Sequence, residues 1–144
     1  MLRIDLTLEI ERPPQHVFAA LTDLERVPEW QESAVESRCD GALEEGARIH
    51  ERRRAMGREI ESELEVTAFE PSRRLTLKAV GGPVPFAVDH QLVEQDGGDS
   101  TFLHVIVEGT PGSFLKLATP MLKRRAEHEL RGDFERLKEQ LERD

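Results

Sequence analysis

The chain of 144 residues contains no tyrosine, one tryptophan and one cysteine. A single thiol cannot form an internal disulfide or a multi-cysteine zinc site, so we interpret Cys39 as a small core residue. The five histidines are not spaced like metal ligands. We therefore expect no metal and no other cofactor.

A long apolar run is also missing. The first residues alternate apolar and polar side chains, which is the pattern of neither a signal peptide nor a membrane span, and we expect a cytoplasmic protein. The chain has 29 Asp and Glu against 20 Lys and Arg, a net charge of -9. This excess would repel a phosphate backbone, which argues against nucleic acid as a partner. The pattern does not define an oligomeric state.

The apolar periodicity predicts one α+β domain over residues 1–144. Period-two alternation predicts a strand from Leu2 to Ile10, and Pro13-Pro14 stops it and begins a short helix. A second short turn follows from Leu24 to Gln31. Short Gly, Pro and Asp turns then favour an antiparallel meander. Its predicted strands are Ala34 to Cys39, Ala47 to Ala55, Arg58 to Phe69, Arg74 to Ala79, Val84 to Glu94, and Thr101 to Glu108.

A helical pattern begins after Gly112 and continues to the end of the chain. Its second half, Leu130 to Leu141, is interpreted as a clamp on the sheet. Its first half, from Phe114 to His128, has the wider apolar face, and Pro120 predicts a break or the true helix start there. The apolar stripe consists of Leu115, Leu122, Ala126, Leu130, Phe134, Leu137 and Leu141, with Phe114, Ala118 and Met121 beside it.

Three segments together resemble a known superfamily. They are the string Pro13-Pro14-Gln15-His16-Val17-Phe18 leading to Leu21-Thr22-Asp23 and Pro28-Glu29-Trp30, the string Phe69-Glu70-Pro71, and a terminal Leu137-Lys138 with Leu141. This order resembles the START-like (SRPBCC) proteins, specifically the polyketide cyclase/dehydrase branch, over the whole chain.

The resemblance implies a helix-grip fold. In it a curved antiparallel sheet wraps around a long C-terminal helix, with two short helices after the first strand. The resemblance also implies a cavity between sheet and helix, used for lipids, polyketides or other apolar molecules. It implies no shared catalytic residue set.

A two-residue loop at Met56-Gly57 predicts the register of the hairpin around it. In this register, four pairs of residues lie opposite each other on a solvent face: Arg54 and Glu59, Arg52 and Glu61, His50 and Glu63, and Arg48 and Glu65. Glu51 and Arg53 then point toward the concave side. Either they reach water at the sheet rim, or they pair inside the cavity and offer an anchor for a ligand oxygen.

A four-residue loop around Gly82 places Leu75 and Leu77 on the inner face that holds Phe86 and Val88, with His90 in phase. His90 is the candidate acid/base, and a structural role is the alternative. Trp30 is predicted either to line the cavity or to pack in the core. A six-residue loop from Gln95 to Ser100 would turn Leu103, Val105 and Val107 inward, and a five-residue loop would invert them.

Three functional hypotheses follow. The leading one is the binding of a small apolar or amphipathic ligand, lipid- or polyketide-like, held mainly by apolar burial. The alternatives are a polyketide cyclase/dehydratase-type enzyme using His90 and the Glu51/Arg53 pair, and a protein-interaction module. The predicted ligand-binding residues are Trp30, Glu51, Arg53, Phe86, Val88, His90, Phe114, Ala118, Met121 and Arg125.

Overall fold

The structure is a computed structural model that describes residues 2–55, 57–109 and 120–143. The strands are Leu2–Ile10 (β1), Ala34–Cys39 (β2), Arg48–Ala55 (β3), Arg58–Glu70 (β4), Arg74–Gly81 (β5), Phe86–Gln95 (β6) and Ser100–Gly109 (β7). The α-helices are Pro14–Thr22 (α1), Val27–Trp30 (α2) and Pro120–Arg143 (α3), and a 3-10 turn at Leu24–Arg26 joins α1 to α2.

The seven strands form one curved antiparallel sheet in the order β1-β7-β6-β5-β4-β3-β2. Consecutive strands from β2 to β7 are neighbours, and β1 pairs with β7 along its whole length. The short helices therefore carry the chain from one sheet edge to the other. With the long α3, this arrangement confirms the predicted α+β helix-grip fold.

The hairpin of β3 and β4 has the predicted register. Each of the four expected pairs, from Arg54 opposite Glu59 to Arg48 opposite Glu65, is found. The ion pairs on this outer face run partly on the diagonal, since Arg48 contacts Glu63 at 3.1 Å. Exposed pairs of this kind contribute little stability. What the register decides is that Glu51 and Arg53 point inward.

The loops on either side of β6 also determine which side chains face inward. Leu75 lies opposite His90 and Leu77 opposite Val88, as predicted. The next hairpin has the register that a six-residue loop predicts, with Glu94 opposite Thr101, and its strands extend by one further pair, Gln95 and Ser100, around a four-residue turn. Gly97 and Gly98, with φ of 67° and 101°, permit this tight turn. Leu103, Val105 and Val107 therefore face inward, as the six-residue loop predicts.

The C-terminal half of α3 is the part that packs against the rest of the protein. Phe134 and Leu137 are 3 % and 1 % exposed. Polar side chains of the same half bond to backbone at the end of β1 and around α2. These bonds are Lys138 Nζ to Glu9 O (2.7 Å), Gln140 Nε2 to Glu29 O (2.9 Å), Arg136 Nε to Trp30 O (3.1 Å) and Glu11 N to Glu142 Oε2 (2.8 Å).

The N-terminal half of α3 behaves differently. Between Pro120 and Glu129, every side chain that the structure describes is exposed except the half-buried Ala126. Pro120 is the first described residue of α3. The predicted helical segment before it, including Phe114 and Ala118, lies outside the described residues.

We predict that Leu137→Ala lowers the free energy of unfolding by about 2 to 5 kcal/mol, because it leaves a void in the contact between α3 and the sheet. Urea denaturation measures the change. Leu141→Ala is the matched control, since this leucine lies one turn further along the same face and is only half-buried. Equal losses for the two variants would contradict the clamp.

Candidate ligand cavity

A cavity of about 280 Å³ lies between the inner face of the sheet and helices α2 and α3. Its wall is mostly apolar. The sheet contributes Leu64, Leu77 and Val88 among others, and α3 contributes Leu130 and Phe134. A volume of this size falls at the small end of the roughly 300 to 1,000 Å³ found for ligand pockets. A small molecule of a few rings matches it better than a long lipid.

Six of the ten predicted ligand-binding residues line this one cavity. They come from α2, β3 and β6, and are Trp30, Glu51, Arg53, Phe86, Val88 and His90. Their contact with a ligand stays a prediction, but their convergence on one space is a property of the fold.

Met121 and Arg125 do not line the cavity. Met121 is 78 % exposed, and Arg125 is also exposed. The reason is helical phase: at about 100° per residue, the nine steps from Met121 to Leu130 place the two side chains about 180° apart. Met121 therefore does not continue the face that α3 applies to the sheet. Phe114 and Ala118 lie outside the described residues.

The pair of Glu51 and Arg53 forms the polar end of the cavity. The Glu51 side chain is 6 % exposed and accepts a hydrogen bond from Arg53 Nε at 2.7 Å. Arg53 also donates to Ser33 Oγ at 2.9 Å and to the side-chain oxygen of Gln31. Of the two interpretations of this pair, pairing inside the cavity is the one that the geometry supports. A buried carboxylate requires such a partner.

His90 occupies the centre of the inner face and is 5 % exposed. Its Nδ1 lies 2.9 Å from the carbonyl oxygen of Leu75. A carbonyl oxygen only accepts, so Nδ1 carries the proton, and Nε2 of the neutral ring is an acceptor. Burial lowers the pKa of His90 from its ordinary value, against the opposing effects of the Leu75 hydrogen bond and the Asp89 charge. The imidazole is thus uncharged at neutral pH.

Three rings of the cavity wall lie close together. The ring of Phe134 lies 5.1 Å from that of Trp30 and 6.0 Å from that of His90. Trp30 is 3 % exposed, and its Nε1 is buried with no acceptor among the described residues. An unpaired buried donor costs about 1 to 3 kcal/mol. Trp30 therefore combines both predicted roles, since it packs in the core and also lines the cavity.

Asp133 is a cavity residue that the sequence analysis missed. It is 6 % exposed and accepts hydrogen bonds from the Glu32 backbone N at 3.1 Å and from the Arg136 guanidinium at 2.5 Å. Burial raises its pKa, although these two bonds oppose the shift. The one signal in the sequence was an acidic residue directly beside Phe134 at the edge of the apolar stripe.

A larger depression of about 520 Å³ lies on the outer face of the sheet, over β2 to β4. It is open to solvent, and its charged side chains pair with each other, as Arg52 does with Glu36 at 2.8 Å. We therefore interpret it as a solvated face. The inner cavity is the better candidate because its wall is apolar and its polar groups are few.

Neither a metal-ligand cluster nor a helix that could cross a bilayer is found in the described part of the chain. Within residues 2–55, 57–109 and 120–143, no three His, Cys, Asp or Glu side chains form a group that could hold a metal ion. None of the helices in those ranges has the length and apolar character needed to span a membrane.

Solved structures with this fold include three that cover nearly the whole chain. A START superfamily protein from Mycobacterium smegmatis aligns with a TM-score of 0.81 at 17 % identity, over 99 % of both chains. A protein from Thermus thermophilus, TTHA0849, aligns at 0.77 and 15 %, over 96 % of both chains. The Zhui aromatase/cyclase from Streptomyces sp. R1128 aligns at 0.76 and 13 %, over 98 % of this chain and 93 % of that one. The fold is therefore START-like.

The family model described as polyketide cyclase / dehydrase and lipid transport matches residues 1–142. The chain belongs to this family, which confirms the resemblance found in the sequence. No curated protein matches this chain.

We predict that Arg53→Met lowers the free energy of unfolding by about 3 kcal/mol, because it leaves the Glu51 carboxylate buried without its partner. The double variant Glu51→Leu/Arg53→Met should regain most of that loss. Urea denaturation measures both. Arg52→Met is the matched control on the outer face of the same strand, where the loss should stay below about 1 kcal/mol. A loss for Arg53→Met no larger than this control would show that Glu51 does not depend on the pair.

We predict that acid destabilises the wild type through His90. The pKa of His90 is lowered in the folded state, so below about pH 6.5 the unfolded chain takes up this proton more readily and the free energy of unfolding falls. His90→Gln removes this effect. As the pH falls from about 7.5 to about 5.5, the free energy of unfolding of the variant should therefore rise by up to about 1.4 kcal/mol relative to that of the wild type.

Urea denaturation at the two pH values measures this relative gain. His128→Gln removes an exposed histidine from α3 and is the control. Asp133 is present in all three proteins, so its contribution cancels in the comparison. An identical pH response of the two variants would refute the effect.

Proposed function

We propose that the protein binds a small apolar or amphipathic molecule, lipid- or polyketide-like, in the cavity between sheet and α3. The observation that carries the proposal is an apolar space of about 280 Å³ that contains a few converging polar groups. Burial of apolar surface contributes about 25 cal/mol per Å², and the polar groups would orient the ligand. Membership of a family described in part by lipid transport supports the same function. A cytoplasmic location stays a prediction.

The first experiment looks for the natural ligand. Native mass spectrometry of freshly purified protein should show an added mass that is lost after extraction with organic solvent. We expect this result because an apolar cavity retains its ligand through purification when the surrounding water offers it no competing site.

The second experiment tests the cavity with a defined probe. Val88→Trp should reduce the affinity for naphthalene at least about tenfold, a change of about 1.4 kcal/mol, because the larger side chain fills the space. Val93→Trp is the matched control, since Val93 lies on the outer face of the same strand and is 57 % exposed. Isothermal titration calorimetry measures both. The proposal fails if the wild type shows neither an added mass nor naphthalene binding that Val88→Trp weakens.

An enzymatic role is the second candidate, and His90 is the observation that favours it. Its Nε2 is an unprotonated acceptor on a ring that lines the cavity, as a general base requires. The fold similarity to an aromatase/cyclase supports the same class. Once a substrate is identified, His90→Gln should lower kcat by about a hundredfold or more. Unchanged turnover would remove His90 as the acid/base.

A further inference from the structure

Charge compensation within the cavity restricts what it can hold. Arg53 is the only Lys or Arg among the described residues that line the cavity. Its guanidinium makes four hydrogen bonds, to Glu51, Ser33 and Gln31, and a guanidinium has five N–H groups in all. The one cation available to an anionic ligand is therefore already neutralised by Glu51 and largely saturated.

The remaining charged group does not favour an anion either. Asp133 lines the cavity and is held by Arg136, which does not line it. The charges at the wall thus sum to zero or to a negative value, depending on whether Asp133 is ionised. A carboxylate entering this space would lose its hydration without gaining a free cation, which is costly in an apolar site.

Trp30 Nε1 is a donor unpaired among the described residues but is fully buried, whereas His90 offers an acceptor on a ring that lines the cavity. Nδ1 of His90 donates to Leu75 O, so Nε2 has a lone pair to offer. A ligand hydroxyl can donate a hydrogen bond to it, whereas a carboxylate oxygen would meet lone pair against lone pair. The neighbouring ring of Phe134, 6.0 Å away, provides an apolar surface for the body of such a ligand.

We infer that the cavity selects uncharged ligands that carry a hydroxyl group, with the hydroxyl donating to His90 Nε2, and that it rejects carboxylates of the same shape. The inference rests on the proposed function and specifies the chemical class of the ligand. The ligand is thus a neutral alcohol or phenol with a small apolar body, and free fatty acids and other carboxylic acids are excluded.

The test compares three probes of nearly equal shape, namely naphthalene, 2-naphthol and 2-naphthoate, by isothermal titration calorimetry at neutral pH. In the wild type, 2-naphthol should bind at least about tenfold more tightly than either of the others. His90→Leu should bring the affinity ratio of 2-naphthol to naphthalene close to one, because the acceptor is lost.

Glu51→Gln tests the charge argument directly. The amide oxygen of Gln still accepts from Arg53, but the guanidinium charge is no longer cancelled, so the affinity ratio of 2-naphthoate to 2-naphthol should rise about tenfold. Glu61→Gln removes the same charge from the outer face of the neighbouring strand and should leave the ratio as in the wild type.

The outcomes separate the two proposals. Wild-type binding of 2-naphthoate as tight as that of 2-naphthol overturns the inference and leaves the binding function intact. Equal affinity for naphthalene and 2-naphthol overturns the role of His90 Nε2. Absence of binding for all three probes, naphthalene included, counts against the proposed function and the inference together. The wild-type comparison decides these points even if a variant fails to fold.

Discussion

The cavity depends on the contact between one half of α3 and the rest of the protein. Phe134 and Leu137 seal the helix against the sheet and the short helices, and polar side chains between Asp133 and Glu142 bond to the chain on either side. Among the α3 side chains that the structure describes, the fully buried ones lie in this C-terminal half, which closes the space above the sheet at one end without filling it. The same half of the helix supplies both the structural seal and three cavity residues, Leu130, Asp133 and Phe134.

Polar residues in the cavity illustrate how a fold can carry charge inside an apolar wall. Ile49, Glu51 and Arg53 are spaced two residues apart along β3. Strand geometry alone therefore turns all three side chains to the same inner face. The desolvation cost of the two charges is offset only because they form an ion pair with each other and because Ser33 and Gln31 accept further hydrogen bonds from the guanidinium. Under the proposed function, such an arrangement would orient a ligand through shape and hydrogen bonds more than through net charge.

Much of the sheet could be predicted from the sequence, because a strand has a period of two and its turns define its neighbours. The position of Met56-Gly57 was sufficient to place Glu51 and Arg53, and the parity of the later loops was sufficient to place His90. The six-residue loop from Gln95 to Ser100 likewise gave the register of the last hairpin, since Glu94 lies opposite Thr101.

The helix was harder to predict, for a physical reason. A residue in a helix rotates by about 100° from the one before it, so an apolar group at one end indicates the buried face at the other only if the same stripe continues. Met121 belongs to a different face from Leu130. Asp133 lies three residues after Leu130 on the buried face, and its carboxylate also accepts a hydrogen bond from the Glu32 backbone, a distant partner that the helical pattern does not identify.

The placement of Trp30 has one practical consequence. With no tyrosine in the chain, this residue, the only tryptophan, dominates the near-ultraviolet emission of the protein. Its indole lines the cavity against Phe134. The protein therefore carries an intrinsic optical reporter at its candidate site, and the quenching or wavelength shift of its emission can follow cavity occupancy in real time without a label.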